Sequence, residues 1–271
     1  MNIQKMIHAY ISQGYDDVYA SAKVCQDIIL YKISKSKFNR NITLKGGIVI
    51  HNLSNNIRRA TNDIDLDFIK YSLDDDSIRQ FIDVLNKVED DIKITITDNI
   101  IPLRHQDYKG KRVSVSVCDN YGNELKTKID IGINTHLDIH QNTLLFNFDP
   151  IGSSGTLLVN TPEQIFCEKM KSLMIHGINS TRYKDIYDFY YLIDSNLLSV
   201  SELKCCIKKL IFDDKSVNIN NFKELSHYFS EIINDDLYMN KLKIPKINWI
   251  DEEMDAVISV ICDFFGNLWK I

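Results

Sequence analysis

Between residues 63 and 68 acidic and hydrophobic positions alternate strictly, with Asp63, Asp65 and Asp67 interleaving with Ile64, Leu66 and Phe68. A period of two sets the acids on one face of a β-strand and the large hydrophobes on the other. If the hydrophobic face is core, like charges crowd the opposite face unless a cation joins them. The same period runs through "IKITITD", "KRVSVSVCD" and "LKTKIDIGI", which predicts further strands of one half-exposed sheet. Helical spacing takes over elsewhere. Residues 15–35 predict a helix, and "SLDDDSIRQFIDVLNKV" opens on capping residues with Ile78, Ile82 and Leu85 on one face. "ITLKGG" predicts a short strand ending in a turn, and "IVIHNLS" a helical turn or two.

After residue 155 the pattern becomes mostly helical. Thr161 has the chemistry of an N-cap, with Pro162 at the first helical position. Helices are predicted over 162–175, 183–195, 199–212, 220–234 and 251–268. "GSSG" (152–155), "DDKSVNINNFKE" and "NDDLYMNKLKIPK" predict loops and short connections. The expected fold class is α+β: a module over residues 1–155 with a mixed or antiparallel sheet, a helical module over 156–271, and a cleft between them.

Composition narrows this only a little. The 271 residues are 44% hydrophobic and 25% charged, ordinary for a globular protein with a substantial core. A net charge of -5 gives no global basic field, so any nucleic-acid contact needs a local patch. "YKGKR" (108–112) and "KKL" (208–210) are weak candidates for one. The cysteines at 25, 118, 167, 205, 206 and 262 form no Cys-x-x-Cys pair, and no apolar run approaches the ~20 residues that span a bilayer. The N-terminus lacks an export signal. A reduced, cytoplasmic protein without a membrane partner is expected.

The acids do not stand alone. Upstream lies "LKGG" (44–47), where adjacent glycines let backbone N–H groups approach a phosphate, helped by a following helix N-terminus. Asp63 and Asp65 can share divalent cations with triphosphate oxygens, since Mg2+ favours a few carboxylates plus substrate phosphates. Two such ions can activate an attacking hydroxyl and stabilise the leaving pyrophosphate. The plain alternative is a solvated edge strand after a glycine turn. Asp130, between Ile129 and Ile131, reads either as a third carboxylate from a neighbouring strand or as one polar residue on an exposed face. Lys169 falls four residues after Ile165 and four before Leu173, which borders the inward face of its helix; it suits a phosphate or simply snorkels. Arg182, Lys184, Asp185 and Asp188 are spaced for ion pairs on a helix whose tyrosines and Phe189 argue for burial. "HLDIH" sets His136 and His140 four apart without the glutamate of a zinc protease, and no P-loop occurs.

Taken in order, "LKGG", "RATNDIDLDF", "TKIDIGI", "PEQIFCEKMKSL" and "RYKDIYDFYYL" resemble the AbiEii/AbiGii-type nucleotidyltransferase toxins. These are the toxic half of type IV toxin–antitoxin or abortive-infection systems, within the DNA polymerase β-like superfamily. The resemblance covers about residues 40–195. It implies that Lys45, Gly46 and Gly47 form the turn that holds a nucleoside triphosphate, with Arg59 and Thr61 as the Arg-x-Ser/Thr pair. It also implies that Asp63 and Asp65 bind Mg2+ or Mn2+, with Asp130 as the third metal-binding carboxylate. Lys169, preceded by Glu168, and Asp185 match the residues that handle nucleotide or assist catalysis. Asp67 matches nothing in the motif and is expected at a rim or facing solvent. The implied activity is transfer of a nucleotide to an acceptor hydroxyl, with the 3′ end of tRNA as acceptor, translation blocked and a cognate antitoxin as partner. The rival readings are a non-catalytic nucleotide- or partner-binding module, and transfer to a protein or small molecule.

Overall fold

The computed structural model describes residues 1–103 and 110–268 and divides into two compact units, Met1–Asn160 and Thr161–Ile271. Unit one is α+β. Its strands are β1 (Ile42–Leu44), β2 (Ile64–Phe68), β3 (Ile92–Ile96), β4 (Ile101–Pro102), β5 (Lys111–Asp119), β6 (Glu124–Ile133), β7 (Asn142–Phe148) and β8 (Ser153–Val159). Among the described residues they form one sheet of order β3-β5-β6-β2-β1-β8-β7, with β4 paired to β5. The sheet is mixed: β2–β6 and β1–β8 are parallel and the other pairs antiparallel.

The alternation read along 63–68 has a direct cause in this topology. β2 lies between β1 and β6, and Ile64, Leu66 and Phe68 are buried with Leu44, Val113, Ile129 and Ile131. Phe68 meets Phe81, from the helix α4 (Asp75–Leu85), edge to face at 5.5 Å between centroids. The helix α2 (Asp17–Lys35) packs on β6 and β8. A one-residue slip of β2 would put its hydrophobes where the acids are, so the core fixes the register. The short helix α3 (Gly47–Ser54) starts at the glycine turn after β1.

Several elements differ from expectation. Ile3–Ser12 forms a first helix, α1, with Asn2 accepting from Lys5 N at its N-cap. Ser153–Gly155, expected as loop, begins β8, and the chain turns through a short 3-10 turn at Asp149–Ile151 closed by Gly152 with φ +67°. β7 and β8 pair as a hairpin whose Phe146, Phe148, Leu157 and Val159 are buried.

Unit two is helical: α5 (Pro162–His176), α6 (Lys184–Asp194), α7 (Val200–Ile207), α8 (Phe222–Ile233), α9 (Asp236–Leu242) and α10 (Met254–Leu268). Thr161 caps α5 by accepting from Gln164 N, with Pro162 in the first turn. Phe166 of α5 packs on Phe189 of α6, centroids 4.7 Å apart, and Phe229 on Phe265 at 5.1 Å. α9 occupies a stretch expected as loop. The expected helix over 199–212 is α7 followed by a π-helical turn at Lys208–Phe212. Such turns widen the backbone ring by one residue. Among the described residues no helix is long and apolar enough to cross a membrane.

Candidate active site

Strand register assembles the acid face. β2 and β6 run parallel with Asp65 opposite Asp130, and β5 lies antiparallel to β6 with Arg112 opposite Asp130. Neighbouring strands are about 4.8 Å apart and paired residues point to the same face. Asp65, Asp130 and Arg112 therefore form one row across three strands. Asp63 stands immediately before β2 and is exposed, while Asp65 is half-buried and Asp130 buried. Arg112 Nε and Nη2 donate to the two oxygens of Asp130, each at 2.7 Å. That hydrogen bond, with the charges of Asp130, Asp63 and Asp65, outweighs desolvation and raises the guanidinium pKa. Four charged groups thus share one electrostatic neighbourhood.

The glycine turn closes on the same face. Gly46 has φ +67° and ψ -142°, a conformation that a side chain rarely adopts. A Cβ there would stand 2.8 Å from Asp65 Oδ2, so the missing side chain leaves open the space beside that carboxylate. A Cβ on Gly47 would stand 3.1 Å from Thr61 Oγ1 and 3.2 Å from Arg59 Nη1. Gly46, Gly47, Arg59, Thr61 and Asp65 are therefore neighbours. Lys45 N donates to Asp65 O at 3.1 Å, pinning the turn to the acid strand. On the other side of that segment Gln26 Nε2, from α2, donates to Thr61 O at 2.7 Å and to Asp63 O at 3.4 Å.

Asp67 is not at a rim. It is 5% exposed and ion-paired with Lys45 Nζ at 2.7 Å. The antiparallel β1–β2 register sets Asp67 opposite Thr43, and β2–β6 sets it opposite Gly132, which has no side chain to compete for space. A carboxylate so enclosed needs a cation, and Lys45 supplies one.

A buried network supports this region from α1, α2 and α3. Tyr10 and Lys23 hold Asp27, and Tyr15 Oη lies 3.0 Å from His51 Nε2. Burial first, and the Lys23 charge second, push the His51 imidazole down to about 4 despite its Nδ1 contact to Asn56 O. His51 is therefore neutral at pH 7.

Unit two holds the other predicted side chains. Lys169 Nζ, from α5, reaches Asp185 Oδ1 at 2.5 Å and Asp188 Oδ2 at 2.9 Å, both on α6. All three are buried, and Trp249 Nε1 donates to Asp188 Oδ1 at 3.1 Å. One cation thus stands between two carboxylates spaced three apart on one helix face. Glu168 accepts from Gln164 Nε2 at 3.2 Å. The other lysine of that helix, Lys171, pairs with Asp214.

Four residues here escaped the sequence reading as site residues: Asp67, Arg112, Gln26 and Asp188. Asp188 carried a signal, its i+3 spacing from Asp185 on a helix read as buried. Arg112 and Asp67 acquire their roles through pairing register, which no local pattern shows. Of the two basic stretches, Lys208 is exposed and Lys209 half-exposed, while Leu210 is buried. In "YKGKR", Tyr108 and Lys109 lie outside the described residues, Lys111 pairs with Asp75, and Arg112 is engaged as above. His136 and His140 lie in the connection between β6 and β7.

Among the described residues no three His, Cys, Asp or Glu side chains are arranged to hold a metal by themselves. Asp63 and Asp65 nevertheless supply hard oxygen donors suited to Mg2+ or Mn2+ completed by substrate oxygens. The space that a Gly46 Cβ would fill beside Asp65 Oδ2 is consistent with such a pair, and Asp130 is already taken up by Arg112.

A family model described as "Nucleotidyl transferase AbiEii toxin, Type IV TA system" matches residues 28–242. A solved structure, an antigenic nucleotidyltransferase-like protein from Paracoccidioides brasiliensis, aligns over 82% of this chain and 91% of its own, with 14% identity and a TM-score of 0.41. No curated protein sequence matches.

Proposed function

The chain belongs to the AbiEii nucleotidyl transferase toxin family of type IV toxin–antitoxin systems, and we propose that it transfers a nucleotide from a nucleoside triphosphate to the 3′ end of tRNA with a divalent cation. The observation that carries this reading is the convergence of the glycine turn on the acid row: Gly46 against Asp65, and Asp65 opposite Asp130. Phosphoryl transfer asks a protein mainly for positioning and charge. Those two needs match a glycine turn and a carboxylate pair on a rigid strand.

In this reading Gly46, Gly47 and the start of α3 receive the triphosphate through backbone N–H groups, with Lys45, Arg59 and Thr61 around them. Asp63 and Asp65 would hold Mg2+ or Mn2+, which would lower the cost of the acceptor alkoxide and offset the charge of the departing pyrophosphate. The acceptor oxygen attacks the α-phosphorus, the bond to the bridging oxygen breaks, and pyrophosphate leaves. Asp130 assists as third carboxylate or takes the hydroxyl proton. Lys169 and Asp185, paired within the helical unit, take the roles in nucleotide handling or catalysis that the matching family residues have. An extended tRNA end would block translation, and a cognate antitoxin would relieve the growth arrest in the cytoplasm.

The experiment uses purified protein, total tRNA, each labelled triphosphate in turn, and Mg2+ with or without chelator. Chelator-sensitive label at the tRNA 3′ end supports the reading. Nucleotide binding without incorporation into tRNA refutes the tRNA acceptor and leaves a binding module or transfer to a protein or small molecule.

A further inference from the structure

The row across β2, β6 and β5 ends in a cation that the proposed chemistry does not use. Arg112 grips both oxygens of Asp130, in the forked geometry that makes guanidinium–carboxylate pairs strong. This takes two of its five N–H donors; the remaining three have no protein acceptor among the described residues, and the side chain is 36% exposed. Its charge is felt by Asp63 and Asp65 as well as by Asp130. A divalent cation on Asp63 and Asp65 would therefore meet a like charge one strand away, on the carboxylate best placed to join it. A phosphate offers the guanidinium the same two-pronged acceptor that Asp130 does. The exchange from carboxylate to phosphate loses little hydrogen bonding and frees Asp130.

We propose that Arg112 gates the third carboxylate: it holds Asp130 in the free chain and passes to a phosphate of the bound nucleoside triphosphate, releasing Asp130 to the cation or the acceptor hydroxyl. This rests on the reading of Asp63 and Asp65 as the cation site. It assigns Arg112 to the nucleotide and makes metal occupancy at Asp130 depend on nucleotide. An arginine that merely braces β5 against β6 would do neither.

The two roles predict effects of opposite sign for one substitution, read by binding alone. Mn2+ affinity of the full-length protein is measured without nucleotide by the paramagnetic resonance of the free ion. Triphosphate affinity is measured in chelator with a fluorescent nucleotide. Arg112→Gln should bind Mn2+ at least tenfold more tightly than wild type, about 1.4 kcal/mol, and bind the triphosphate at least fivefold more weakly. Adding Asp130→Asn should return Mn2+ affinity to the wild-type value. Arg112→Lys keeps the charge without the fork, should fall between the two, and serves if the glutamine variant does not fold. Mn2+ affinity equal to or weaker than wild type in Arg112→Gln overturns the gate. If Asp63→Ala leaves Mn2+ affinity unchanged in wild type and Arg112→Gln alike, the cation-site reading itself fails.

Discussion

Gly46→Ala should separate the cost of an unusual backbone from the cost of displacing a carboxylate. Gly46 sits at φ +67° and ψ -142°, where a side chain costs about 1–3 kcal/mol. The stiffer unfolded chain returns about 0.4–1 kcal/mol, so a net loss of about 0–2.6 kcal/mol is expected from backbone alone. The new Cβ would lie 2.8 Å from Asp65 Oδ2, against 3.4 Å for the near edge of ordinary contact, so the carboxylate must yield by about 0.6 Å. Misplacing a reacting group by ~1 Å can cost ~100-fold in rate, and a loss of ~10-fold or more in transfer is expected here. Gly152→Ala is the control. It has the same φ of +67° but nothing within 4 Å of the added Cβ, so it should lose about 0–1 kcal/mol and no activity. Urea denaturation and nucleotide incorporation on both variants make the test. Full transfer by Gly46→Ala, or equal losses of activity in the two, would refute the claim that this glycine is there to make room at Asp65.

Other expectations follow from the buried charges. Lys45→Met strands Asp67 in a buried site and should cost about 3–5 kcal/mol in urea denaturation, part of which Asp67→Asn in the same chain should restore. Lys169→Met leaves Asp185 and Asp188 facing each other without their shared cation. A loss of about 3–5 kcal/mol is expected; adding Asp185→Asn should recover stability but not transfer, and recovery of both would make Lys169 purely structural. His51 titrates near 4 in the folded chain against 6.5 when exposed, so the unfolded state takes up the proton first. Stability should therefore fall as pH drops from about 6.5 toward 4, by up to about 3 kcal/mol, and His51→Gln should flatten that stretch of the pH–stability curve. An unchanged slope in His51→Gln would assign it to another group.

What could be read from the chain follows the physics of each element. The acid strand was legible because β2 is central and buried on one side, so its core face imposes a strict period of two. The cap and first turn of α5 were legible because Thr161-Pro162 acts locally, and Lys169 because its helical phase points inward. The hairpin of β7 and β8 was missed although Leu144, Phe146 and Phe148 alternate, since the serines and glycines of 152–155 suggested a loop. Lys45–Asp67 and Arg112–Asp130 could not be read at all. Arg112–Asp130 is a register pair of β5 and β6, and Lys45–Asp67 is a diagonal contact from the turn after β1 to β2, so both depend on strand pairing between segments distant in sequence. The same reason explains why Asp67 looked expendable beside Asp63 and Asp65, when its place opposite Thr43 and Gly132 makes it the buried counter-ion of Lys45.

Asp63 and Asp65 are proposed to serve a nucleotidyl transfer. This role is tested most directly by incubating wild type and Asp63→Ala/Asp65→Ala with total tRNA, Mg2+ and each labelled triphosphate. Labelled tRNA 3′ ends are expected with wild type, none when chelator is added, and none with a double variant that melts like wild type. Equal labelling by a folded double variant, or growth arrest undiminished when it is expressed, would contradict that role.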